Sequence, residues 1–129
     1  MSAQRIELVA SAQQTANGNS AAFAVNTATM AMVGLDITAY TGATGFTAWL
    51  QGSDDGGTTW YDLVADQVLD STAVEIGGTV LTNERDICDD VAAAGKHSAI
   101  YKHLAADQVR LAWDLDGTDI TFSCSAVVK

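Results

Sequence analysis

The order of apolar and polar residues along the chain predicts strands almost throughout. Arg5-Ile6-Glu7-Leu8-Val9-Ala10 alternates at period 2 near its start, as a half-buried strand does. Ser11 to Ser20, with Asn17-Gly18-Asn19, reads as a loop. Ala22 to Val25 is a short apolar run, and Met30 to Thr38 mostly alternates through Met30, Met32, Val33, Leu35 and Ile37. Thr41 to Gly45 punctuates the chain before a strand over Phe46–Gln51. Ser53-Asp54-Asp55-Gly56-Gly57 is a strong turn, because Asp-Gly and Gly-Gly reach positive φ at little cost. Thr59 to Val64 then resumes as a strand rich in aromatic and β-branched residues.

The middle is less regular. Val68 to Leu81 reads as two short strands around Gly77-Gly78, and Asn83 to Ala94 as one or two helical turns or a loop. Ser98 to Leu104 is again strand-like. Val109, Leu111, Trp113 and Leu115 share one face, and so do Ile120, Phe122, Cys124 and Ala126. With Asp116-Gly117 between them, these two runs predict a β-hairpin with Cys124 and Trp113 on its buried side. About eight strands separated by turn signals predict an all-β chain, an antiparallel β-sandwich or jelly-roll-like domain. One such domain accounts for residues 1–129, with residues 1–20 as an N-terminal strand or an arm used in assembly.

Composition narrows the function. The 129 residues are 48% hydrophobic, enough for a core, and only 17% charged, against roughly 25% in a typical soluble domain. The charge is lopsided, 16 acidic to 6 basic for a net −10, so a generic nucleic-acid binder is disfavoured by repulsion from phosphate. Glu7 and Asp36 are the only acidic residues up to position 50, which leaves 14 of the 16 after it. Neither an apolar run long enough for a membrane span nor a basic-then-apolar leader is visible, so the expectation is a protein made in the cytoplasm. Cys88 and Cys124 are then expected to be reduced and buried.

Site chemistry is sparse. His97 and His103 would lie roughly 20 Å apart on one strand, too far to share a metal, and each reads as a surface histidine. Cys88 has no matched histidine motif, and neither a GxSxG elbow nor a glycine-rich phosphate loop occurs. Asp114, Asp116 and Asp119 bunch three carboxylates, but an EF-hand needs Gly at loop position six and Glu at twelve, and neither is in place. Trp49, Trp60, Tyr61 and Trp113 could form a sugar-stacking platform; core packing is the commoner use of such residues. The sequence therefore predicts no cofactor, no metal and no enzymatic activity.

The run Gln51-Gly52-Ser53-Asp54-Asp55-Gly56-Gly57-Thr58-Thr59-Trp60-Tyr61-Asp62-Leu63 resembles a hairpin of small β-sandwich accessory virion proteins of tailed bacteriophages. Thr15 to Ala22, Leu35 to Ala39 with Gly42 and Gly45, and Val109 to Trp113 with Gly117-Thr118 are similar to further segments of that family. Relatives often carry proline at turns, whereas this chain has none. The resemblance implies a non-enzymatic virion structural protein, foremost a capsid decoration or cement protein. It would sit on the capsid exterior, bind the major capsid protein, and form a homo-oligomer with a trimer favoured. Neither nucleic acid nor membrane is an expected partner. The nearly uncharged N-terminal segment supplies candidate capsid contacts at Arg5, Ile6, Leu8, Asn17, Asn19 and Phe23. Ser53, Asp54, Asp55, Gly56, Gly57 and Trp60 are the hallmark of the hairpin, with a structural role. The alternative is a glycan-binding module of a virion or tail, using Trp49 or Trp60.

Overall fold

A computed structural model describes residues 3–25, 28–63, 67–70, 86–90, 95–102, 104 and 106–129. Among these residues nine strands form one antiparallel sheet. They are β1 (Gln4–Gln14), β2 (Gly18–Asn19), β3 (Phe23–Ala24), β4 (Ala31–Ser53), β5 (Tyr61–Asp62), β6 (Gln67–Asp70), β7 (Asp86–Asp90), β8 (Gly95–Tyr101) and β9 (Gln108–Val128). The order is β1-β9-β4-β8-β6; β2 and β3 pair with β9, and β5 and β7 with β4. The all-β antiparallel fold is the one the alternation predicts.

Two strands dominate. β4 and β9 stay paired from Ala31↔Val128 to Ser53↔Gln108. Each therefore spans two of the expected strands. The segments Thr41–Gly45 and Asp116–Gly117, read from sequence as reversals, lie opposite each other inside this ribbon. The expected closing hairpin at Asp116-Gly117 is thus corrected to a continuous strand. Positive φ serves a bulge as well as a turn. Gly42 and Gly117 take φ values of 68° and 116°, and the β4–β9 register slips on both sides of this stretch.

The break shows in the burial pattern. Inward residues of β9 are odd-numbered at Val109, Leu111 and Trp113, and even-numbered from Ile120 to Val128. β4 switches likewise, from Val33, Leu35 and Ile37 to Phe46, Ala48 and Leu50. A strand that alternates strictly cannot change parity and keep one face inside. The irregular stretch supplies the change and bends the ribbon. Phe122 pairs with Ile37, nine positions from Phe46, or about 30 Å along a straight strand. Their ring centroids are nevertheless 5.0 Å apart, and Trp113 meets Phe122 edge-on at 5.3 Å. The two halves of the ribbon thus share one core, which also takes in Ile87, Tyr101 and Leu104.

The N-terminal and middle segments depart from expectation in three places. Residues 11–14, read as loop, continue β1, which pairs with β9 through two register shifts. Asp86–Asp90, read as helical turn or loop, is strand β7 against β4. Pairing with a central strand overrides what its acidic sequence suggests by itself. His97, read as a surface residue, is buried on the inner face of β8 beside Ala99 and Tyr101. His103, Gly77-Gly78 and the ends of the Asn83–Ala94 segment lie outside the described residues.

Candidate functional site

The hallmark loop closes β4 onto β5, with Gln51 paired to Asp62 and Gly52 to Tyr61. Ser53 is buried, and its hydroxyl donates to Asp55 Oδ1 at 2.8 Å while accepting from the Gly57 amide at 2.9 Å. The same Asp55 oxygen accepts the backbone N–H groups of Thr59 at 2.8 Å and Thr58 at 3.1 Å. These bonds, led by those from Thr59 and followed by that from Ser53, pull the Asp55 carboxyl down to about 2, because they favour the ionised form. Gly56 and Gly57 take the left-handed backbone that this closed ring of bonds needs. Asp54 is exposed beside them. The loop is a self-satisfied structural unit.

Beside it lies a polar chain across the sheet. Asp62 Oδ1 accepts from Trp49 Nε1 at 2.7 Å and from Gln51 Nε2 at 2.9 Å. Gln51 Oε1 accepts from Arg110 Nε at 2.8 Å, and the Arg110 guanidinium lies 4.3 Å above the Trp60 ring. A second guanidinium nitrogen reaches Asn19 Oδ1 at 3.4 Å. Trp60 donates its indole N–H to the Gly57 carbonyl at 3.1 Å. Trp49 is buried and Trp113 is in the core, with its N–H on the Ala16 carbonyl at 3.0 Å. The indole donors are therefore committed within the chain.

The candidate contacts of the N-terminal segment separate into two groups. Ile6 and Leu8 point into the core, and Phe23 packs half-buried against it. Arg5, Asn17 and Asn19 are exposed. Asn17 and Asn19 also have structural partners, since Asn17 Oδ1 accepts the Leu115 amide at 2.7 Å and Asn19 receives Arg110. Ser20 adds two bonds to Leu111, which fastens residues 16–20 along β9. Residues 4–24 therefore form one flank of the sheet, uncharged from Leu8 onward.

Two surface hollows lie on the outer face of the β1–β9–β4–β8 half. One, of about 390 Å³, is bordered by Arg5, Glu7, Asp36 and Lys96 over a floor of Gly34, Ser98, Ser123 and Ser125. Glu7, Ser125, Gly34 and Ser98 stand in one cross-strand row. The other, of about 240 Å³, is almost wholly apolar and is lined by Ala3, Met30, Ala31, Met32, Ile100, Val127 and Lys129. The sequence held a signal for it. Val33, Leu35 and Ile37 face inward at odd positions, so Met30 and Met32, at even ones, face outward.

Among the described residues no three His, Cys, Asp or Glu side chains gather as metal ligands. Cys124 is a free, buried thiol whose surroundings push its pKa up to about 12 by desolvation. No helix of the described chain is long and apolar enough to cross a membrane.

No family model matches the sequence, and no curated protein matches it. Among solved structures, the fold is similar to that of the SPBc2 prophage-derived protein YomS. The TM-score is 0.61 over 99% of this chain and 94% of that one, at 12% identity. A chain of the acidic stable capsid structure of Helicobacter pylori bacteriophage KHP30 also aligns over 99% of this chain and 94% of its own. Its identity is 16%, and its TM-score of 0.24 carries no argument. The likeness to YomS shows a common fold across the whole chain.

Proposed function

We propose that this chain is a structural protein of a tailed-phage particle, foremost a decoration protein bound to the outside of the head. The observation that carries this reading is the fold shared with a prophage-derived protein over 99% of the chain. The hairpin at Gln51–Leu63 supports it through its resemblance to accessory virion proteins. In this reading the protein is non-enzymatic, is made in the host cytoplasm, and binds the major capsid protein as a homo-oligomer. Weak contacts per copy become strong occupancy when they are repeated on a symmetric lattice.

The charge distribution suits such a role. The flank formed by residues 8–24 carries no charge, while Asp54, Asp55, Asp114 and Asp116 are exposed elsewhere. An uncharged flank costs little desolvation on docking, and exposed carboxylates keep assembled particles apart. The glycan-binding alternative gains no comparable support, because Arg110 covers one face of Trp60 and Trp49 is buried. The test is co-sedimentation of the purified protein with expanded capsids that lack decoration. Saturable, stoichiometric binding is expected; absence of binding to such capsids would overturn the proposal.

A further inference from the structure

The β4–β9 ribbon has two chemically opposite poles. Where the two strands end, Met30, Met32, Ile100 and Val127 line the apolar hollow of about 240 Å³. Met30 and Met32 are 39% and 52% exposed. Lys129 lines the hollow, and Arg5, in register with Val127, borders the other hollow of the same face together with Glu7, Asp36 and Lys96. At the bend, about 25–30 Å away at strand rise, Tyr40 is 46% exposed. It pairs with Ile120, next to Asp119, and the same stretch of ribbon carries Asp116 and Asp114. No Lys or Arg occurs in residues 38–47 or 114–121. Three of the four large hydrophobic side chains exposed among the described residues thus lie at these two poles.

We infer that copies of this chain join head to tail, with Tyr40 of one copy seated in the methionine hollow of the next and its aspartates facing Arg5 and Lys129. The inference rests on the homo-oligomer part of the proposed function and is independent of capsid binding. Charge selects the occupant and the geometry together. Copies with a net charge of −10 repel one another unless cations meet carboxylates at the contact. A two-fold contact centred on the tyrosine pole would set carboxylates against one another, since no cation lies in its stretch of ribbon. Joining one pole to the other brings opposite charges together around an apolar centre, the arrangement that gives an interface its specificity. The polarizable thioethers of Met30 and Met32 suit an aromatic ring. A contact between unlike surfaces closes into a ring when its rotation permits, and the trimer is the simplest such ring compatible with the proposed function.

Sedimentation velocity and light scattering on the full chain test this. The wild type should be oligomeric, and Tyr40→Asp and Met32→Asp should each be monomeric with thermal unfolding retained. Mixing the two variants should give a 1:1 dimer and nothing larger, since one keeps an intact hollow and the other an intact tyrosine pole. Arg5→Glu and Asp116→Arg offer a second route: each should weaken association about tenfold, and mixing them should recover it at contacts between unlike variants, two of the three in a trimer. A wild type still monomeric at about 100 µM would overturn the inference, as would mixed variants that stay monomeric. Capsid co-sedimentation separates the two readings. Oligomers that fail to bind capsids would sink decoration alone, and monomers that bind capsids would sink the head-to-tail contact alone.

Discussion

Replacing Gly117 with alanine should be among the most damaging single-methyl additions this chain can suffer. The residue sits at φ 116°, a conformation that L side chains rarely adopt, which costs about 1–3 kcal/mol. An added Cβ would also collide with the Gly42 carbonyl oxygen and come within 2.6 Å of Ala43 Cα and 2.9 Å of Thr44 N. These are backbone atoms of the paired strand, so no side chain can swing away. Relief requires the ribbon to open and give up at least one cross-strand hydrogen bond, about 0.5–1.5 kcal/mol more. The sum is about 3 kcal/mol, or a fall in Tm of about 10–15 °C for a domain of this size. Two other glycines calibrate the measurement. Gly56 has a φ of 75° with open space around it, so Gly56→Ala carries only the backbone cost of about 1–2 kcal/mol. Gly34 has nothing within 4 Å of its would-be Cβ, so Gly34→Ala should stabilise the strand by about 0.5–1 kcal/mol. Urea and thermal unfolding of the three variants gives the ranking. If Gly117→Ala cost no more than Gly56→Ala, residues 114–120 would be an exposed reverse turn, and the continuous ribbon would be wrong.

Three further outcomes follow from the bonding. Asp55 has its folded pKa lowered from 3.8 to about 2, so its contribution to stability is whole above about pH 4 and is lost as pH falls towards 2. Asp55→Asn should flatten the pH dependence of the urea midpoint in that window; an unchanged profile would refute the bonded carboxylate. Arg110→Met should cost about 1–2 kcal/mol through the lost Gln51 bond and the cation over Trp60, and should alter tryptophan emission; an unaltered spectrum would mean the guanidinium does not cover the ring. In a Cys88→Ala background, Cys124 should resist alkylation at pH 8 until the protein is unfolded, since burial pushes its thiol up to about 12; native-state labelling at the rate of a free thiol would contradict its place in the core.

Side-chain alternation carried most of the strand content. Val109, Leu111, Trp113, Ile120, Phe122, Cys124 and Ala126 are buried as their pattern requires. What alternation could not convey was connectivity. Asp-Gly and Gly-rich segments serve tight reversals and mid-strand bends by the same positive φ, and only the partner strand decides between them. Residues 11–14 lacked a local strand signal because β9 imposes their conformation. The hallmark loop was legible because its Ser, Asp and Gly act within a few residues of one another. The polar chain from Asn19 through Arg110 and Gln51 to Asp62 was not, since its members are drawn together only by folding. The apolar hollow was hidden for a different reason: Met30 and Met32 look like core residues until the parity of β4 is fixed by Val33 and Leu35.

The place of β9 between β1 and β4 also governs when the protein can fold during synthesis. β1 and β4 leave the ribosome early, yet β1 finds its partner only in residues 120–128, and β4 finds its full-length partner only in residues 108–128. Ala31 waits for Val128, a separation that puts loop closure ahead of any reward from pairing. Until β9 emerges, β1 has no partner strand, and β4 can pair only with the shorter β5, β7 and β8. The sheet is completed only when β9 inserts between β1 and β4, so the exposed edges of both strands are at risk of wrong pairing until that late step.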